Sequence, residues 1–175
     1  MKLKGKKIAV LVENMYQELE VWYPVLRFRE AGADVKIVGP QKGEYLSKLG
    51  YPATADTAAA SVKAGDFDAI IIPGGFAPDR MRLDKAMVAM VADGVKQGVC
   101  VAAICHGGWM LCSAGGIKGK KLTSYVAIKD DMINAGAKWV DQEVAVDGNI
   151  VTSRKPDDLP AFCKAVIKMI KKKKK

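Results

Sequence analysis

Four cysteines and one histidine are present in the chain, and the histidine, His106, directly follows Cys105. A thiol and an imidazole are the two groups that nucleophilic catalysis at a carbonyl requires, one to attack and one to carry the proton. The remaining cysteines, Cys100, Cys112 and Cys163, lie among apolar neighbours and are expected to be buried thiols. No CxxC pair occurs, so neither a zinc site nor a disulfide framework is indicated, and a single histidine makes a protein-built catalytic zinc site improbable. No metal and no organic cofactor is expected. Pro73-Gly74-Gly75 is not a phosphate loop, because the chain has no GxxxxGK[ST] pattern.

Adjacent side chains do not face each other on a regular strand or helix, so the Cys105–His106 pairing demands a sharp turn between the two. The segment Val-Cys-Val-Ala-Ala-Ile-Cys-His-Gly-Gly, residues 99–108, runs from an apolar strand towards a helix. A tight elbow there would push the thiol out over the sheet edge, with Ala103 and Gly107 allowing strand and helix to approach closely. At a helix N-terminus the partial positive charge favours thiolate. A second turn, Pro73-Gly74-Gly75, can present backbone N–H groups to a developing oxyanion, together with the N–H of His106. Asp79 in the same loop would either orient the imidazole or cap a helix. Glu13, closing the first strand, would either hold a proton for Cys105 or stand exposed at the strand end.

The elements that must position these groups alternate. Strands are expected at residues 7–12, 34–38, 67–72 and 99–104, and helices at 18–31, 85–96, 106–114 and 130–135. Pro24 is expected to bend or delay the first helix, and residues 41–65 suggest a short hairpin and a turn. Asp147-Gly148 marks a hairpin between 143–146 and 150–153, and a last helix from a cap at Asp157 runs through Met169 with Pro160 in its first turn. This alternation implies a mostly parallel sheet covered on both faces, whose ligands bind beyond the carboxyl ends of the strands. Glu13, the 73–80 loop and Cys105-His106 all fall at such ends.

At 175 residues, half of them hydrophobic and 27% charged, the chain fits one folded domain over residues 1–170. No repeat, linker, spanning segment or export signal is visible, so a soluble cytoplasmic protein with no membrane partner is expected. Five of the nine net positive charges belong to Lys171–Lys175. That block reads as a solvated, frayed tail. Without a basic stripe interleaved with aromatics, nucleic acid is an unfavoured partner.

Ala-Ile-Cys-His-Gly, Ile-Pro-Gly-Gly-Phe-Ala-Pro-Asp-Arg, Ile-Lys-Asp-Asp-Met-Ile-Asn-Ala-Gly and Thr-Ser-Arg-Lys-Pro-Asp-Asp-Leu, in this order, resemble the PfpI-type proteins of the ThiJ/PfpI (DJ-type) superfamily. The resemblance spans nearly the whole chain short of the lysine tail. It implies a flavodoxin-like three-layer α/β sandwich of the class I glutamine amidotransferase type, assembled as a homodimer or homohexamer with its site at a subunit interface. It also implies a cysteine-dependent enzyme acting on activated carbonyls, as an intracellular peptidase or as a deglycase or glyoxalase. A non-catalytic redox-sensing stress protein is the alternative. Transferred by position, the nucleophile is Cys105 and the proton carrier His106. The acid, Asp79, reaches across from a neighbouring subunit, and the glutamate on the cysteine is Glu13. Gly75 and His106 form the oxyanion hole, while Gly74, Tyr125 and Arg154 lie near the substrate, a small carbonyl compound or a peptide. Two positions depart from the resemblance: Asp79 stands where many members carry Glu, and Gly108 and Trp109 follow His106-Gly107 where Pro is usual after the glycine.

Overall fold

Strands that are buried along their whole length, with no alternation, need a layer on each face of their sheet. The computed structural model, which describes residues 2–172, shows this for β6 (Ala69–Ile72) and β7 (Cys100–Ile104), where every residue is buried. In chain order the elements before them are β1 (Lys7–Leu11), α1 (Glu18–Glu30), β2 (Asp34–Gly39), β3 (Gly43–Leu46), β4 (Pro52–Ala55) and β5 (Thr57–Ala58). Between β6 and β7 lie α2 (Ala77–Met81) and α3 (Lys85–Lys96). After β7 come α4 (Gly108–Ala114), β8 (Lys121–Leu122), α5 (Lys129–Asn134), β9 (Lys138–Trp139), β10 (Val144–Asp147), β11 (Ile150–Ser153) and α6 (Leu159–Lys172).

The main sheet has the order β10-β11-β7-β6-β1-β2-β5, and β10 is its one antiparallel member. Among its long parallel strands the spatial order is second, first, third, fourth, fifth, the doubly wound flavodoxin-like arrangement. Helices α1 and α6 pack together against β1, β2, β7 and β11; α3 and α4 pack together against β7, with α2 and α5 beside α4. This is the α/β sandwich with a mostly parallel sheet. The winding reverses between β1 and β6, which opens a crevice beyond their carboxyl ends.

Local chemistry sets the boundaries. Gln17 caps α1, its side-chain oxygen accepting from the N–H of Glu20, and the helix is continuous through Pro24, so the proline does not delay it. Asp84 caps α3 through the N–H of Met87. The antiparallel pair β3–β4 forms a separate hairpin, and β10–β11 close through Asp147-Gly148, with Gly148 at φ +60°. Asp157 does not cap the last helix. A turn over Pro156–Asp158 precedes α6, and Asp157 instead pairs with Lys155 at 3.0 Å. Helix α6 extends two residues into the lysine block, and residues 173–175 of that block lie outside the described residues. Among the described residues no helix is long and apolar enough to cross a membrane.

Candidate active site

Strand β7 delivers its last side chains at the mouth of the crevice, where the chain reverses through a short 3-10 turn, Cys105–Gly107, into α4. Cys105 takes φ +60°, a left-handed conformation uncommon for a residue with a side chain, and this is the elbow that the Cys-His adjacency demands. Gly107 makes the elbow possible. A Cβ at that position would sit 2.6 Å from the carbonyl oxygen of Ile72 on the neighbouring strand. Across the turn, Sγ of Cys105 lies 3.3 Å from Nδ1 of His106. The imidazole stands between two aromatic rings, Trp109 edge-on at 5.2 Å between centroids and Tyr125 tilted at 5.1 Å. Trp109 is itself fixed by a 2.9 Å hydrogen bond from its indole N–H to Asp131.

The loop after β6 supplies the opposite wall. Gly75 is at φ +74° and its missing Cβ would collide with backbone of residues 15–17. With the backbone so placed, the N–H groups of Gly75 and His106 act on the sulfur of Cys105 and favour its charged form. Behind them the Glu20 carboxyl, wholly buried on α1, accepts a 2.6 Å hydrogen bond from the N–H of Gly74 and meets the Cys105 thiol. The crevice encloses about 270 Å³ and is open to solvent, with Gln17, Lys48, Phe76, Tyr125 and Lys155 forming its rim around Cys105 and His106.

Burial dominates the electrostatics. It pushes the Glu20 carboxyl up to about 7, against the pull of the Gly74 N–H. Burial also pushes the Cys105 thiol up, to about 12, with negative charge on Glu20 the next cause; the two N–H groups oppose it. Two negative charges in contact in this interior disfavour each other, so a proton resting on Glu20 removes one obstacle to thiolate formation and turns the carboxyl into a hydrogen-bond donor to sulfur. His106 is lowered from its ordinary value, first by burial and then by the positive charge of Lys48, which keeps the ring neutral and able to accept a proton.

The structure brings Cys105, His106, Gly74, Gly75 and Tyr125 together and leaves three expected residues outside. The glutamate beside the sulfur is Glu20, not Glu13. After β1 the chain turns away from the sheet through Met15, at φ +68°, towards the β3–β4 hairpin, so Glu13 points aside and accepts from the N–H of Asn14 at 2.6 Å. Helix α1 then carries Glu20 back over the strand ends. Asp79 lies exposed in the first turn of α2, and His106 has no carboxylate partner among the described residues. Arg154 is held away from the crevice by Asp158 at 2.9 Å and Asp141 at 2.8 Å, and lines a neighbouring cleft with Tyr125 and Trp139. Glu20, Lys48 and Lys155 were not anticipated. A signal for Glu20 existed: it shares a helical stripe with Pro24 and Phe28, both buried, where an isolated charge is out of place.

The chain is similar to known proteins over nearly its whole length. The model of the DJ-1/PfpI family matches residues 6–169. The chain is 44% identical over 165 residues to Deglycase PfpI of Pyrococcus furiosus, an alignment covering 94% of this chain and 99% of that protein. It is 42% identical over 169 residues to Protein/nucleic acid deglycase 2 of Escherichia coli K12, covering 95% and 98%. A crystal structure of a two-domain protein from Anabaena variabilis, with DJ-1/ThiJ/PfpI-like and ferritin-like domains, matches with a TM-score of 0.91 at 39% identity, over 93% of this chain and 49% of that one. The chain belongs to the DJ-1/PfpI family.

Proposed function

We propose that the chain is a cysteine-dependent enzyme of the PfpI type that attacks the carbonyl of small dicarbonyl compounds and their amine adducts, a deglycase or glyoxalase chemistry. The observation that carries this reading is the convergence, at the floor of one open crevice, of the Cys105 sulfur, an imidazole nitrogen 3.3 Å away and two backbone N–H groups. In the first step a bond forms between Sγ and the carbonyl carbon, and the π pair moves to oxygen. The N–H groups of Gly75 and His106 hold that oxygen as charge develops. The thiol proton passes to Nδ1 of His106 and is returned to the oxygen, giving a hemithioacetal. Glu20, protonated, donates to the sulfur while it is anionic.

The crevice volume favours a small carbonyl or a single modified side chain over an extended peptide, which would need a groove several residues long. The names carried by the Pyrococcus furiosus and Escherichia coli relatives support the same side. The acid that orients His106 would be Asp79 of a second copy, since within one chain Asp79 faces solvent.

The test is a panel of methylglyoxal, methylglyoxal-modified amino acids and peptides, run on the wild type and on Cys105→Ala. Cys105→Ala is expected to lose about a thousandfold or more of carbonyl turnover with its circular dichroism unchanged. His106→Ala separates catalysis from a purely redox role. Lost turnover with undiminished oxidation of Cys105 by peroxide fits the enzyme, and full turnover in either variant refutes it.

A further inference from the structure

No cation at the crevice touches the reacting atoms of the proposed mechanism. Of the charged side chains lining it, Lys48 and Lys155 are basic and exposed, and Glu20, the one acid, is buried behind the sulfur and raised towards neutrality. Lys155 shares its charge with Asp157 at 3.0 Å, out at the surface. Lys48 forms no ion pair within 4 Å among the described residues. Its backbone is nonetheless held. The turn after β3 is held by the buried Ser47 hydroxyl, which accepts from the N–H groups of Leu49 and Tyr51 at 3.2 and 2.8 Å. The N–H of Lys48 donates to the carbonyl of Tyr16 at 3.0 Å, and that of Leu49 to the Glu18 carboxylate at 2.8 Å. A long cationic side chain is thus rooted on a rigid turn, at the rim of a cavity whose nucleophile sits at the floor. Its charge is felt by Glu18, Glu20 and His106, lowering each. A cation without an ion-pair partner, whose side chain reaches the rim of the crevice, also attracts an anion into it.

Resting on the carbonyl reading above, we infer that the crevice selects carbonyl compounds bearing an anionic oxygen group, a carboxylate or a phosphate, and that Lys48 is the residue which confers that preference. Lys155, paired with Asp157, contributes less.

The experiment compares alkylation of Cys105 in the full-length chain by iodoacetate and by iodoacetamide, followed by peptide mass spectrometry. Each reagent forms the S–C bond with loss of iodide, and the two differ in charge, so the ratio of their rates reads the field at the sulfur. Lys48→Gln is expected to lower the iodoacetate-to-iodoacetamide ratio about fivefold at low salt, with high salt shrinking the difference. Lys48→Arg is expected to hold the ratio near wild type. A ratio that Lys48→Gln leaves unchanged, or that Lys48→Arg lowers as much, overturns the inference. A turnover arm sets glyoxylate against methylglyoxal for the carboxylate, and glyceraldehyde 3-phosphate against glyceraldehyde for the phosphate. Lys48→Gln is expected to raise KM for the charged member of whichever pair is preferred, with kcat little changed. If alkylation loses its anion preference in Lys48→Gln while no carbonyl is turned over, the enzymatic reading fails and the selectivity stands. If methylglyoxal turns over through Cys105 and the ratio does not move, the selectivity alone fails.

Discussion

Glu20 shows how one buried proton ties reactivity to stability. Its carboxyl is wholly buried and raised from 4.5 to about 7. Between those values the folded chain holds a proton that the unfolded chain has released, so the stabilisation it gives is complete below about pH 4.5 and is lost as pH rises through about 7. The size of that loss is roughly 3 kcal/mol. Glu20→Gln keeps an oxygen for the N–H of Gly74 and has nothing to ionise. Urea unfolding at several pH values is therefore expected to show the wild type losing stability relative to Glu20→Gln between about pH 4.5 and 7; parallel curves would place the proton elsewhere. The same residue marks the limit of what single positions disclose. Cys105 and His106 are legible because they are neighbours in sequence and need only a turn to meet. Glu20 needs the phase of a 13-residue helix to be set first, and Glu13, closer to the strand, is the natural wrong choice until the turn at Met15 is seen.

Elements with a strong local signal are found where the sequence places them. Helix α3 spans Lys85–Lys96 as its periodicity indicates, and Asp147-Gly148 turns the β10–β11 hairpin. The two-residue strands β5, β8 and β9 carry no such signal, because what makes them strands is a partner distant in the chain. The joint between β7 and α4 lies between these extremes: its sequence demands an elbow, while only the packing shows how little room it has. Gly107→Ala would drive a methyl into the backbone of Ile72 and Pro73, and is expected to destabilise by about 3 kcal/mol and to displace Cys105. Gly115, at the end of α4 with φ +76° and open space around it, is the control. Gly115→Ala is expected to cost about 1–3 kcal/mol through backbone strain alone and to leave Cys105 alkylation unaltered. Equal effects of the two substitutions on alkylation would detach the elbow from the site.

At the scale of the molecule, the strand-helix alternation is sufficient to anticipate a doubly wound sheet and a crevice at its switch point. It is insufficient to populate the rim, since Lys48, Tyr125 and Lys155 arrive from a hairpin turn, a loop and a strand end that are far apart in the chain. Among the described residues His106, whose ring is steadied by Trp109 and Tyr125, meets no carboxylate. Asp79 is exposed, and its surroundings resemble a surface awaiting contact: Phe76 and Leu83, on either side of it in sequence, are 61% and 80% exposed. If Asp79 serves the His106 of a second copy, each complete site draws Cys105 from one chain and the aspartate from the other. Two inactive variants should then complement. Cys105→Ala and Asp79→Ala, unfolded together and refolded as a mixture, would pair so that half the dimers are mixed and each mixed dimer contains one intact site. Recovery of about a quarter of wild-type activity is expected from equal amounts, and none from either variant refolded alone. A mixture no more active than the sum of its parts would confine the whole site to one chain and leave the aromatic clamp as the sole support for the imidazole.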